Sequence, residues 1–293
     1  MKQLSHLIKR HTILFFKDKG RFFTALITPV ILIILYITFL GSVYKDSLSS
    51  ILGAFPVSKN TIDAFVNSYL FSSLLAVSCV TVSFCSNMIM VQDKAENKTR
   101  DFIITGVSKT TLALSYFIST FIITIIINMF ALLICIVLLM RTHWYMPIND
   151  LLFSVLDIFL LTLFGTSLSS IINFFLTTQG QISAVGSVVS AGYGFLCGAY
   201  MPISQFSPGI KYFLRILPGT YGTALIRSHL LNSVFIKLNK QLPAQVMDII
   251  RMQFDTSFKI MNHTVTVPIM YMIMIMTCII LVIVYILLNK LKK

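Results

Sequence analysis

Long apolar stretches without charge, separated by short charged segments, dominate the chain. A helix needs roughly 20 apolar residues to cross a bilayer, so each long stretch predicts a span. The apolar runs are continuous and do not alternate with a period of two, which predicts helices and not barrel strands. The run after Asp157 is too long for one helix, and the polar turn 177–181 divides it. The pattern predicts six spans, at about 22–44, 64–92, 110–140, 152–177, 182–201 and 267–289.

The segment that precedes the first span has a helical period of its own. Residues 3–18 predict an amphipathic helix, because Leu4, Leu7 and Ile8 lie on one face and Arg10 lies off it. Such a helix lies in the plane of the lipid headgroups. We therefore expect an interfacial helix that anchors the chain and passes force from a cytoplasmic partner to the first span.

The segment between the last two spans, 202–266, predicts an outer loop with short helices. Ser207-Pro208 is typical of a helix start, with serine as the cap and proline at the first helical position. Apolar and aromatic residues are frequent between Pro202 and Pro218. We expect a short helix pair that re-enters the outer leaflet, where protein or water must satisfy the broken backbone.

Composition places the whole chain in a membrane. Of its 293 residues, 56% are hydrophobic and 11% are charged, and the mean hydropathy is +0.87. A soluble domain carries about 25% charged residues. The predicted fold class is therefore an all-α membrane protein, one domain over 1–293, with six transmembrane helices, the interfacial helix and the re-entrant pair.

The distribution of lysine and arginine predicts the orientation. Basic residues cluster before the first span, in the loop 93–109 after the second span, and in the tail after the last span. These segments are assigned to the cytoplasm, so both termini are cytoplasmic in the cell membrane. The basic residues of 202–266 oppose this rule, but long loops influence orientation weakly. The net charge of +13 flanks the spans, which favours contact with anionic membrane lipids over nucleic acid.

Several kinds of chemistry are excluded by what the chain lacks. It contains no GxxxxGK[ST] phosphate loop and no set of paired catalytic groups, so we expect no enzyme activity and no bound cofactor. The five cysteines lie in apolar spans and predict small buried hydrophobes. His143, His229 and His263 lie in the predicted outer loops without the spacing of ligands, so no metal site is predicted. For Asp157, we expect a hydrogen bond near the outer boundary, with a functional role as the alternative.

The cytoplasmic loop 93–109 combines dense charge with an apolar end. A short polar helix followed by apolar residues is typical of a segment that docks on another protein, and a solvated turn is the alternative. The candidate docking residues are Asp93, Lys94, Glu96, Lys98, Arg100, Asp101 and Phe102.

The fifth predicted span carries small residues about every four positions. Small residues let two helices approach closely in lipid, either within the chain or at a dimer interface. The candidate seam consists of Ser183, Ser187, Ala191, Gly194 and Gly198. Aromatic residues at the outer end of this span predict either a gate or an interfacial belt.

The outer end of the chain resembles the C-terminal signature of the type-2 family of ABC transporter permeases. The resemblance rests on the segment from Gly198 to Pro208, then Leu217-Pro218, Tyr221 and Arg227. It implies an outer gate formed by Phe195, Tyr200, Met201, Pro202, Phe206, Pro208, Pro218, Tyr221 and Arg227.

The resemblance also implies a function and partners. It identifies 93–109 as the coupling loop, although the family often has glycine where Asn97 or Lys98 stands and proline near Gly106. It implies pairing with a second copy or a homologous permease, and with a separate ATP-binding cassette subunit that holds ATP and Mg. The complex would export a drug, a peptide or a lipid-linked glycan, with multidrug resistance as one outcome.

Two other classes remain as alternatives. A stand-alone secondary transporter or channel should show more charge within its spans. A membrane-embedded enzyme should show paired catalytic groups. The abundance of isoleucine, lysine and asparagine favours a bacterial source.

Overall fold

A computed structural model describes residues 2–53, 55–141, 146–260 and 263–291. The chain is 86% helical. The first half contains helices α1 (Lys2–Lys17), α2 (Lys19–Leu35), α3 (Gly41–Leu52), α4 (Lys59–Ala95), α5 (Lys98–Ile104) and α6 (Lys109–Met140). The second half contains helices α7 (Ile148–Phe175), α8 (Gln179–Leu196), α9 (Pro208–Ile216), α10 (Pro218–Asn239), α11 (Ala244–Gln253) and α12 (Val267–Leu291). A π-helical turn (Tyr36–Leu40) joins α2 to α3, and a 3-10 turn (Ile203–Gln205) precedes α9.

Local sequence sets where these helices begin. Ser58 and Ser108 cap α4 and α6, and each side chain accepts a hydrogen bond from the backbone N–H three residues later. Thr178 and Gln181 form a reciprocal capping box at the start of α8. Proline occupies the first position of α9 and of α10, as its fixed φ angle and missing N–H allow.

Five helical segments of the described chain are long and apolar enough to cross a membrane. They are Lys19–Leu52, Lys59–Ala95, Lys109–Met140, Ile148–Phe175 and Val267–Leu291. They correspond to the predicted spans 22–44, 64–92, 110–140, 152–177 and 267–289, and they establish a multi-pass helical membrane protein.

The predicted span 182–201 is a different case. It forms the helix α8, which ends at Leu196 and is not one of the five apolar segments. Glycine, serine and glutamine lower its hydropathy, so the count of six spans stays a prediction.

Helix α4 is the central element of the bundle. Of the apolar part of this helix, 94% is buried, and α2, α6, α7, α8 and α10 all contact it. Small residues make this contact close: a Cβ on Gly165 of α7 would lie 2.9 Å from the carbonyl oxygen of Cys79 in α4. Asn87 in α4 also donates hydrogen bonds to Ser169 and Ser170 in α7, at 3.1 and 3.0 Å. Short polar side chains therefore hold the core of the bundle together.

Two parts of 202–266 differ from the prediction. The sequence predicted short helices only, but α10 has 22 residues and packs against α4, α7 and α12. Polar residues interrupt its apolar pattern, yet Thr220, Thr223 and Arg227 are buried within the bundle. The segment also contains a short element that the prediction did not include, since strands β1 (Phe258–Ile260) and β2 (His263–Val265) pair antiparallel.

The two glycines that were predicted to form a helix-packing pair have other roles inside the chain. A Cβ on Gly194 would lie 2.3 Å from the ring of Tyr200, so this glycine makes room for the aromatic side chain. Gly198 lies beyond the end of α8 with a φ of +71°, a conformation that glycine adopts without strain. Because Gly198 lies beyond the helix end, the two glycines do not lie on one face of a helix as a packing pair.

We expect Gly194→Ala to destabilise the folded chain by about 1–3 kcal/mol, because the added methyl group overlaps the Tyr200 ring. Gly192→Ala is the matched control, since nothing lies within 4 Å of a Cβ at that position of the same helix. It should be neutral or stabilise the helix by up to about 1 kcal/mol. Thermal unfolding in detergent measures both, and equal midpoints for the two variants would contradict the assigned contact.

Candidate functional site

A buried carboxylate at one end of α4 anchors the first helix. Asp93 accepts hydrogen bonds from Arg10 at 2.8 and 3.3 Å and from the Tyr116 hydroxyl at 2.7 Å. His11 stacks on Tyr116 with 4.3 Å between ring centroids, and its Nε2 lies 4.0 Å from Asp93. Because Arg10 and His11 belong to α1, Asp93 to α4 and Tyr116 to α6, this cluster fixes α1 on the bundle. We call these four residues the Asp93 cluster.

The electrostatics of the cluster follow from burial and charge. Burial alone would lower the pKa of Arg10, but its hydrogen bond and charge pairing with Asp93 outweigh this effect and raise it. Burial, with the adjacent Arg10 charge, lowers the pKa of His11 to about 4. His11 is therefore neutral at physiological pH, and the ionic contact of the cluster is between Arg10 and Asp93.

The cluster also positions the helix of the predicted coupling loop. The Arg10 guanidinium lies 4.9 Å from the centre of the Phe102 ring, which is half-buried. Lys94 donates to the backbone carbonyls of Asn173 and Phe174, both at 2.9 Å, at the end of α7. Asp93 and Lys94 thus bind within the chain: Asp93 pairs with Arg10, which contacts Phe102 of α5, and Lys94 binds the end of α7.

The exposed surface of α5 differs from the predicted docking set. Glu96 and Lys98 pair with each other on the surface. Arg100 and Asp101 are also exposed. The most exposed apolar residue is Ile104, at 73%, where the sequence analysis named Phe102. Both residues carry apolar side chains. They differ in that the Arg10 guanidinium lies over the Phe102 ring.

A buried arginine organises the opposite end of the bundle. Arg227 in α10 is 1% exposed and donates to Ser73 Oγ and Gly198 O at 3.0 Å each, and to Phe254 O at 3.2 Å. Its guanidinium also lies 4.3 Å from the centre of the Tyr69 ring. One side chain therefore joins α10, α4, the turn after α8 and the segment after α11.

Asp255 completes this arrangement. Its Oδ2 lies 3.9 Å from Arg227 and accepts a hydrogen bond of 2.5 Å from the backbone N–H of Ile203. Burial raises the pKa of Asp255 to about 6, even though the Arg227 charge opposes the rise. The predicted gate residue Arg227 is thus the centre of a fully buried network, which we call the Arg227 network.

The other predicted gate residues surround this network. The Tyr200 hydroxyl donates to Ser190 O at 3.1 Å, and its ring meets Phe195 edge to face at 5.0 Å. The Tyr221 hydroxyl donates to Arg215 O at 2.6 Å and fixes the break between α9 and α10. Pro202 is buried, whereas Met201, Phe206, Pro208 and Pro218 are half-buried or exposed. The structure therefore places the predicted gate at the turns on either side of α9.

Of the predicted seam, three members face outward. Ser183, Ser187 and Ala191 are exposed on α8, whereas Gly194 and Gly198 are buried within the chain. Within this exposed part of the stripe, Ser187 Oγ donates a hydrogen bond to Ser183 O at 2.9 Å.

The one acid predicted inside a span has partners. Asp157 lies 2.6 Å from His229 Nδ1 and accepts a hydrogen bond of 2.5 Å from the Tyr271 hydroxyl. The expected hydrogen bond is present, but its donors come from α10 and α12. His229 was predicted in an outer loop and instead lies within α10, and His143 lies outside the described residues. Among the described residues, no three His, Cys, Asp or Glu side chains form a metal-binding group.

The bundle and its two charged clusters define a multi-pass helical membrane protein in which helix α1 packs against one end. The family model of the ABC-2 type transporter matches residues 2–231. The match covers most of the chain, from α1 to beyond Arg227, so the chain belongs to the ABC-2 type transporter family. A comparison with curated proteins gives no match.

We expect the docking of α1 to weaken as pH falls, because His11 is neutral in the folded chain. Its pKa is about 4 when docked and about 6.5 when free. Its contribution is present above pH 6.5 and is lost as pH falls toward 4, up to roughly 3 kcal/mol. Hydrogen–deuterium exchange of α1 at pH 5 and pH 7.5, corrected for intrinsic rates, measures the change.

The control for this prediction is His11→Phe, which keeps a ring against Tyr116 and removes the titrating group. Protection of α1 in this variant should depend less on pH. Equal pH dependence in the two proteins would assign the effect to another group.

Proposed function

We propose that this chain is the membrane-spanning permease subunit of an ATP-driven exporter in a bacterial cell membrane. The observation that carries the proposal is the family match over residues 2–231, which includes α1, the charged helix α5 and the Arg227 network. The chain has no phosphate-binding loop of its own, so ATP and Mg would bind to a separate ATP-binding cassette subunit. The family membership implies such a partner in general.

In this proposal α5 is the contact with the ATP-binding subunit. The helix is exposed, and it is tied to α1 and α4 through Phe102, Arg10 and Asp93. A displacement of α5 would therefore move α1 and the end of α4 together. Both termini and α5 lie on the cytoplasmic side.

The permease would act as a pair. Helix α8 packs on α4 with one face and leaves Ser183, Ser187 and Ala191 exposed on the other. A second copy or a homologous permease would bind there, because small side chains allow helices to approach closely in lipid. In this arrangement α8 is the sixth crossing and borders the path of the substrate, so that its polar content is shielded from lipid.

At the outer side, α9 and the start of α10 would close the exit. Four apolar residues of α9 are at least half exposed: Ile210, Tyr212, Phe213 and Ile216. Such a surface suits the outer leaflet and supports re-entry of this pair. The substrate would be hydrophobic or amphipathic, namely a drug, a peptide or a lipid-linked glycan. A stand-alone transporter or a membrane-embedded enzyme is less well supported, since the family match favours a permease.

We expect the purified chain alone to hydrolyse no ATP. In the complex with the ATP-binding subunit, we expect Ile104→Asp to reduce ATP-driven transport at least about tenfold. The substitution places a charge in the apolar centre of the docking surface. Ile104→Met is the matched control and should retain transport. Transport and ATP hydrolysis are measured together in vesicles, and normal coupling in Ile104→Asp would contradict the assignment.

We expect a cysteine at Ala191 to form a disulfide with a second copy under mild oxidation, because this position lies in the exposed seam. The five native cysteines are all buried and provide a low background. Leu133→Cys is the control, since Leu133 is 60% exposed on α6, outside the seam. Gel electrophoresis without reductant gives the yield, and equal cross-linking at the two positions would argue against the seam.

A further inference from the structure

A groove between α7, α10 and α12 brings together side chains that no function above uses. Its lining includes Phe153, His229, Tyr271, Met272 and Met276. The groove is mainly apolar, and its nitrogen and sulfur donors come from two helices that lie far apart in the chain.

The imidazole in this groove is held in one orientation. His229 Nδ1 lies 2.6 Å from Asp157 Oδ2, and the ring stacks on Phe153 with 5.1 Å between centroids and an angle of 15°. In the neutral ring, the proton on Nδ1 is donated to Asp157, and Nε2 carries the lone pair. A carboxylate in this position is the usual support of a metal-binding histidine, because it fixes the tautomer and makes the other nitrogen more basic.

The two methionines supply the second type of donor. Met272 and Met276 are four residues apart, so they lie on the same face of α12. They are 61% and 56% exposed and border the groove. Met270 and Met274 are 1% and 0% exposed, because they face the core. Met272 and Met276 therefore border the groove, whereas Met270 and Met274 pack in the core.

We propose that His229, Met272 and Met276 form a binding site for a soft monovalent cation, Cu(I) or Ag(I). Thioether sulfur selects Cu(I) over harder ions, and imidazole suits copper as well. Charge favours a monovalent ion. The Asp157 carboxylate is 0% exposed, and one positive charge bound at His229 would balance the negative charge of this carboxylate. Tyr271, which donates to the second carboxylate oxygen at 2.5 Å, keeps Asp157 in place.

The site is independent of the proposed export function. The spacing of the histidines along the chain predicts no metal site, since one donor belongs to α10 and two to α12. The packing of α10 and α12 on each other and on α7 brings them to one groove.

Binding of Ag(I) and Cu(I) to the purified full chain in detergent tests the proposal. After removal of free metal, elemental analysis gives the metal content, and competition with a chromogenic Cu(I) chelator gives the affinity. Met272→Leu/Met276→Leu and His229→Phe should each lose one equivalent of metal per chain. Asp157→Asn should weaken binding at least about tenfold, as expected for the support of a metal-bound histidine.

The matched control is Met270→Leu/Met274→Leu, which changes the same number of methionines on the same helix at nearly constant volume. It should keep the wild-type metal content, and the buried cysteines contribute equally to every variant. If His229→Phe fails to fold, the two methionine pairs still decide the question. Equal metal content in both pairs, or loss only in the buried pair, would overturn the proposal.

Discussion

The buried guanidinium of Arg227 is the constraint on which one end of the helical bundle depends. A charge with 1% exposure must be compensated, since an unpaired buried charge costs several kcal/mol, and hydrogen bonds from both terminal nitrogens of the guanidinium supply this compensation. The partners are Ser73, Gly198 and Phe254, on three separate parts of the chain. The turn after α8, the segment after α11 and α10 must therefore all meet at α4.

The other end of α4 carries a second charged cluster. Asp93 and Ser73 are 20 residues apart on one helix, which is about 30 Å, similar to the thickness of the hydrocarbon core. Helix α4 thus connects the Asp93 cluster, which holds α1 and α5, with the Arg227 network, which holds the turn after α8 and the segment after α11. A continuous helix buried over most of its length is a stiff connection. In the proposed exporter, it is the physical route between the docking helix and the exit.

Much of the candidate coupling region could be read from the sequence, but the role of its members could not. Dense charge followed by apolar residues predicted the short helix that the structure shows as α5. The same pattern grouped Asp93 with the exposed charges, although it pairs with Arg10, 83 positions away. It also favoured Phe102 over Ile104, because a sequence does not show that Arg10 covers the aromatic ring. Contacts across such distances depend on packing and have no local signature.

By itself, the sequence determined the membrane class, five of the six predicted spans, the helix that precedes the first span and the helix breaks at prolines, because composition and period act locally. The tertiary structure alone decided the position of α10 inside the bundle, the use of Gly194 to admit Tyr200, and the pairing of Asp157 with His229 and Tyr271. In each case the partners lie on different helices or beyond a helix end. A buried polar residue and an exposed one look alike in a sequence, and only packing supplies the partners that make burial possible.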